Sequence, residues 1–496
     1  MRKIAGIILI GASLIYAQRG GGDWTTSGND AQRSAWLRSD PKISLSTLEK
    51  PGFQMIWKVK LGGTDLSDAM LLNFYIGYRG FRSLAFLGGV SNHVYAVDTD
   101  LSRVEWTKSL PGGASCSANA VPQLTRPTGL EIAMAGGARG GGRSAFARSS
   151  VGEPNEGAPN LKEVSMRRPP MPPPARPARG AGRGAVPNAF RRGPSYLYAL
   201  TPDGKLHQML VSNGEEPEPA FAFLPPNADA RGLIVIDNIA YVITTKGCGN
   251  VAEGVWALNL EDKKVSSWKA PIAGSAGIAF DPEGNLFVAT GAGGEHAASI
   301  VMLDYKTLKP KGWYSAGSAF TSSPVIFEYK DKVLAAAATA DGRMHVVDTA
   351  SLGGADHKTP VARSDAGAKV GGALATWEDS GHTRWILAST SNAIAAWKLA
   401  DGNGAPAIES AWTSREMSTP LTPMILNDVV FALDGGKAST HAVLYALNPA
   451  TGKELWNSGT DFAAAVPTGG MSAGGSQLYV GAADGTLYAF GFPMEH

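Results

Sequence analysis

The strongest constraint on this chain is one pattern that recurs eight times along it, because self-similarity at a fixed period decides architecture before any single residue does. Its clearest copy is Leu444-Tyr445-Ala446-Leu447-Asn448-Pro449-Ala450-Thr451-Gly452-Lys453-Glu454-Leu455-Trp456. The copy reads strand, turn, strand: the apolar residues alternate as in a half-buried strand, Asn448 and Pro449 favour a turn, and Gly452 supplies a positive φ for a bulged hairpin. Other copies are Val94–Asp98 leading to Trp106, Val255–Asn259 to Trp268 and Ile300–Asp304 to Trp313, with a weaker one at Ile394–Trp397 leading to Trp412. Weaker ones start at Leu197-Tyr198-Ala199-Leu200 and at Met344–Asp348, and an eighth, Leu487–Phe490, lacks its tryptophan strand. That missing strand is supplied by Gln54–Val59 with Trp57. The two ends are therefore expected to share one blade, with the strand around Trp57 beside Tyr488, which closes the ring and removes an exposed sheet edge.

Each unit is preceded by a further strand, such as Asn285–Thr290 or Gln477–Gly481, and by an inner one, such as Ser323–Phe327. Four strands per unit at a period of roughly 45 to 50 residues describe propeller blades, whereas a solenoid of that period would show a 3.6-residue helical pattern, which is missing. The fold predicted is all-β: an eight-bladed β-propeller of four-stranded antiparallel blades. Composition agrees, since 61 Gly, 31 Pro and 12 Trp with 18% charged residues suit short strands and tight turns. Trp57, Trp106, Trp268, Trp313, Trp412 and Trp456 are expected to pack the blades, with Ala96 and Ala446 leaving room for Trp106 and Trp456.

The first residues read as a secretory signal: Arg2 and Lys3 precede an apolar run, Ile4 to Tyr16, and Ala17 is a small residue suited to cleavage. Residues 1–17 are expected to be removed and the mature chain, 18–496, to be periplasmic or secreted. The apolar run is shorter than the ~20 residues of a spanning helix, and no cysteine follows it to carry a lipid, so neither a membrane span nor a lipid anchor is expected. The formal net charge of +2 conceals an asymmetry, because residues 137–193 hold ten Arg, Lys162 and only Glu153, Glu156 and Glu163. This Arg/Pro/Gly-rich insertion, with runs such as Arg167–Pro174, lacks apolar residues for a core and is expected to be disordered. It leaves a mildly acidic folded body, which argues against a nucleic-acid-binding domain.

The motif at 445–456 resembles the repeat of pyrroloquinoline-quinone (PQQ) propellers. The opening, Asp23-Trp24 followed by Gly28-Asn29-Asp30-Ala31-Gln32-Arg33, is similar to that of secreted members. The resemblance implies either a quinoprotein dehydrogenase acting on an alcohol or sugar, or a scaffold that binds no quinone. In the dehydrogenases it implies PQQ held with Ca²⁺, an Asp as general base and a disulfide between adjacent cysteines. Here Cys116 and Cys248 are the only cysteines and stand 132 positions apart, so a vicinal disulfide is impossible, and no Cys-x-x-Cys-His is present to attach a haem. Asn119, Asp229, Glu416 and Asp461 fall in or near loops that could approach the axis, and none is assigned as a ligand.

The two cysteines have a joint reading, since both loops open on one face of the ring and an exported chain with two cysteines suggests a disulfide between neighbouring blades. Gly470-Met471-Ser472-Ala473-Gly474 matches a nucleophile elbow, but on an expected inner strand rather than a strand-to-helix turn. Glu295 and His296 follow the turn Gly291–Gly294, read as a hairpin. The histidines show no paired metal spacing, and no phosphate loop is present. The expectation is a non-catalytic binding or scaffold module with a protein or polymer partner on its loop face, the alternative being a PQQ-dependent oxidoreductase.

Overall fold

The computed structural model describes residues 23–493, apart from 63–65, 78–79, 90–91, 113–122, 125–195, 237, 247–249, 403–404, 438–439 and 467–469. Eight sheets of antiparallel neighbours form an eight-bladed propeller. Blades are numbered by their inner strands: 1 (70–109), 2 (123–222), 3 (229–269), 4 (279–315), 5 (325–363), 6 (374–413), 7 (424–457) and 8 (471–491). The outer strand of blade 8 is Gln54–Lys60, which pairs with Thr486–Gly491 so that Trp57 faces Ala489 and Lys58 faces Tyr488. Both ends of the ring thus meet in one sheet, as the repeat count requires.

Within a blade the strands run inner, second, third and outer. Connections between blades and second-to-third hairpins therefore share one face, the connection face, while inner-to-second turns and third-to-outer hairpins share the other. The third strand of blade 7, Val443–Leu447, is buried at four of its five positions, and the second strand of blade 4, Leu286–Ala289, at all four. These strands are not half-buried, because adjacent blades cover both sheet faces and near-continuous apolar runs result. Alternation survives on outer strands such as Val265–Lys269.

Blade 2 departs from the sequence pattern. Leu197–Leu200 belongs to the second strand, Tyr196–Leu200, the third is Lys205–Leu210, and the outer is Phe221–Ala222. The connection holding 137–193 consequently joins the inner strand Gln123–Leu124 to the second strand. Its described flanks, Leu124 and Tyr196, lie at the face opposite the connection face.

The tryptophans reach across blade boundaries. Trp106 pairs in register with Ala96, and Trp412 with Ala396, each beside a register irregularity. Trp106 Nε1 donates to Val211 O (3.0 Å) and Trp412 Nε1 to Pro449 O (2.8 Å), both in the third-to-outer turn of the next blade. Trp456 meets Phe490 of blade 8 and, edge-on, Phe53. Trp57 instead stays within blade 8, donating to Gln477 Oε1 of its second strand.

One turn carries a pH dependence. Asp281, 2% exposed, accepts from Asn285 N (2.7 Å) and Nδ2 (2.9 Å) in the inner-to-second turn of blade 4. Burial outweighs these bonds and pushes its pKa up to about 6 from 3.8. The folded state therefore binds the proton more tightly than the unfolded chain. Its contribution to stability is full below about pH 4 and is lost as pH rises through 6, on the order of 3 kcal/mol for two pKa units. Urea unfolding of the parent and of Asp281→Asn between pH 4 and 8 is expected to show a steeper loss in the parent. Parallel profiles would mean that this carboxyl titrates normally.

Candidate functional site

The ring axis is filled by the chain's own N-terminal segment. Trp24 exchanges both backbone hydrogen bonds with Leu71 of blade 1. The carbonyls of Ala31, Gln32, Ser34 and Ala35 then accept from Phe280, Ile326, Thr376 and Ile425, the inner strands of blades 4, 5, 6 and 7 in order. Trp36–Leu37 finally lies parallel to Met424–Leu426 as an extra strand inside blade 7. A coil this tight needs backbone that turns repeatedly, and Gly28, Asn29, Arg33 and Ala35 all have positive φ (75°, 73°, 62° and 51°). Positive φ is costly for residues with a Cβ and persists only where surrounding bonds over-determine it.

Arg33 provides such bonds. It is 1% exposed, and its guanidinium donates to Thr26 Oγ1 (2.5 Å), Ser27 O (2.7 Å), Ile278 O (2.8 Å) and Gly232 O (2.9 Å). One planar fork thus joins the segment to blades 3 and 4. Burial lowers its pKa to about 10, which leaves it charged at neutral pH, with Asp30 opposing the shift. Asp30, also buried, accepts from Ser34 N (2.8 Å) and Ser34 Oγ (2.6 Å); burial raises its pKa against the pull of Arg38, Ser34 and Arg33.

A further axial carboxyl is Asp68, in the connection entering blade 1. It accepts from the Gly470 N–H of blade 8 and from Ser27 Oγ of the axial segment. A Cβ on Gly470 would lie 2.8 Å from Asp68 Oδ1, so glycine there permits the close approach. Asp68 is half-buried between the two blades, and burial raises its pKa. Of Asp30 and Asp68, it is the one with side-chain surface open to solvent.

The residues weighed from sequence do not converge on it. Cys116, Cys248 and Asn119 lie outside the described residues, as do the signal segment and the insertion. Asp229 is buried and committed to Thr245 Oγ1 (2.7 Å) and Arg231 (3.3 Å). Glu416 is exposed between blades 6 and 7, and Asp461, whose pKa burial raises, lies between blades 7 and 8. Ser472 is fully buried on the inner strand Met471–Gly474, which turns into another strand rather than a helix, so no nucleophile elbow forms. Glu295 and His296 occupy the second-to-third hairpin of blade 4. Sequence reading quoted Asp30 and Arg33 within the opening motif without a role and missed Asp68 and Ser27; nothing local marks residues whose partners come from other blades.

Solved structures share this architecture. Quinohemoprotein alcohol dehydrogenase from Comamonas testosteroni aligns over 96% of this chain and 82% of its own, at a TM-score of 0.55 and 13% identity. A europium-containing methanol dehydrogenase aligns over 95% and 98%, at 0.56 and 10%. The chain has the PQQ-repeat-like propeller fold. The computationally designed Ika8 protein is also similar, over 88% of this chain and all of its own, at 0.51 and 11%. At such identities the likeness establishes the fold alone, and a designed relative underlines that fold does not carry activity. No protein-family model and no curated protein matches the sequence.

Such dehydrogenases raise the question of whether PQQ and Ca²⁺ fit this propeller. Calcium takes six to eight oxygen ligands. The Asp30 oxygens are engaged by Ser34 beside two arginines, and those of Asp68 by Gly470 and Ser27. Among the described residues no group of three or more His, Cys, Asp or Glu is placed to hold a metal ion. The described carboxylates thus assemble no oxygen cage for Ca²⁺. No described helix is long and apolar enough to cross a membrane.

Proposed function

We propose that this chain is an exported PQQ-repeat-like propeller that binds a partner protein or polymer on its connection face and catalyses no reaction there. The observation that carries the reading is the occupied axis. In a ring of blades, the mouth of the axis is where side chains from several strands can converge on a small ligand. Here the chain's own residues 24–37 bond the inner strands of blades 1 and 4 to 7 around that axis, and the buried charges of Asp30 and Arg33 hold them there. The basic-then-apolar run at 1–17 supports export, and Cys116 and Cys248 are proposed to pair as a disulfide.

A specific observation favours a dehydrogenase as the second reading: Asp68 is a reachable carboxyl with raised proton affinity, the property asked of a general base. The two readings separate on reconstitution. After incubation with PQQ and Ca²⁺, gel filtration is expected to leave no quinone absorbance with the protein, and an alcohol or sugar is expected to reduce no dye. Turnover that requires both additions would reject the binding-module reading.

A further inference from the structure

A row of rings along the rim between blades 3 and 5 has no part in the axial site. The Trp268 ring centre lies 6.2 Å from His296, His296 lies 4.9 Å from Trp313, and Trp313 stacks on His357 at 4.2 Å with planes 20° apart. All four are half-buried, so the row reaches solvent. Tyr314 follows Trp313 on the outer strand of blade 4 and points to its other side. It is 1% exposed, and its hydroxyl lies 2.8 Å from Nδ1 of His345 in blade 5. Phe320 sits edge-on to that imidazole.

The protonation of the pair follows from burial, which holds the Tyr314 phenol up at about 12 and the His345 imidazole down at about 4. At neutral pH the phenol keeps its proton and the imidazole is neutral. The O–H has no acceptor other than Nδ1 among the described residues, so Nε2 carries the ring proton. Nε2 is buried and has no partner among the described residues. A ring nitrogen left so is a cost that an apolar residue would avoid, and a purely structural contact gives no reason for it.

We propose that Tyr314 and His345 form a redox-active pair, which a one-electron oxidant at the rim reaches through Trp313. The oxidant, a high-potential metal complex, takes one electron from Trp313. The Tyr314 phenol returns that electron to Trp313 as its O–H bond breaks and the proton forms an N–H bond at His345 Nδ1. The products are the reduced oxidant, a neutral tyrosyl radical and an imidazolium, and one electron from a donor at the rim reverses the sequence. The buried phenol is the resting place of the hole because there a neutral base stands ready for the proton. The pair works in the same way whatever occupies the axis.

Photogenerated ruthenium(III) tris-bipyridine is the probe, read by transient absorption and electron paramagnetic resonance on the full chain. The parent is expected to form a neutral tyrosyl radical, more slowly in D₂O. Tyr314→Phe should leave a tryptophan radical as the last species, and Trp313→Phe should slow arrival at Tyr314. His345→Gln should slow it on the order of a hundredfold, the low end of what a positioned proton acceptor contributes. The chain has 13 tyrosines, so a tyrosyl signal that survives Tyr314→Phe overturns the proposal. An unchanged rate in a folded His345→Gln protein does the same. If that variant fails to fold, the isotope effect on the parent decides, and its absence overturns the assignment.

Discussion

Gly452→Ala is expected to destabilise the propeller by about 2 to 4 kcal/mol, the sum of left-handed backbone strain and overpacking at a blade boundary. The residue closes the third-to-outer turn of blade 7 at φ 69°, and an added Cβ would lie 2.3 Å from Cε3 of Trp412 in blade 6. That indole is 8% exposed and tied to Pro449 O, so it has no free direction in which to yield. Gly214 of blade 2 repeats the arrangement under Trp106, at 2.7 Å and φ 71°. Equivalent turns in blades 3, 4 and 5 end in Lys263, Leu308 and Leu352, also at positive φ, so the turn alone does not demand glycine. Where glycine stands, it is the incoming tryptophan that demands it. The control is Gly317→Ala, at φ 78° with nothing within 4 Å of the new Cβ, which isolates the strain and is expected to cost only about 1 kcal/mol. Equal losses at 317 and 452 in urea titrations would show that the indole does yield.

The same turn explains what could be read in the sequence. Asn448–Gly452 followed by Trp456 is a local signal, since turn chemistry and strand length are written within one hairpin. The pairing of Trp57 with Ala489 followed from counting an unmatched half-unit at each end. Leu197–Leu200 was misplaced because second and third strands are buried on both faces alike, and Leu-Tyr-Ala-Leu suits either. The distinguishing signal was the next turn. Thr201–Gly204 makes the backbone bonds of Ala482–Gly485, the second-to-third turn of blade 8, with the first residue's N–H donating to the residue after the turn and the glycine's to the first residue's carbonyl. A Pro-Asp-Gly beside Ala-Asp-Gly was visible, but the stronger strand motif masked it. The axial segment was legible only as a resemblance. Its carbonyls bond inner strands some 250 to 390 positions away, and no period in the sequence records such partners.

That long-range wiring makes Arg33 the residue whose loss should cost most. Arg33→Leu removes a buried cation and leaves Thr26 Oγ1 and the carbonyls of Ser27, Gly232 and Ile278 without this donor, while Asp30 loses a favourable charge. Breaking a buried charge pair from one side typically costs about 3 to 5 kcal/mol, a large share of a domain's stability. Leucine also meets the φ of 62° at position 33 without the side-chain bonds that hold arginine there. Arg33→Lys keeps the charge but has one nitrogen where the guanidinium uses three, so it is expected to fall between parent and leucine. The loss should concentrate at the axis: amide exchange at Phe280, Ile326, Thr376 and Ile425, whose N–H groups bond the segment, should accelerate more than exchange at third-strand amides such as Ala446. Such a variant would also open the axis to added ligands, so repeating the PQQ and Ca²⁺ incubation on it asks whether the segment alone excludes the cofactor. Uniform acceleration across all blades would make Arg33 a general stabiliser of the ring rather than the pin of its axial segment.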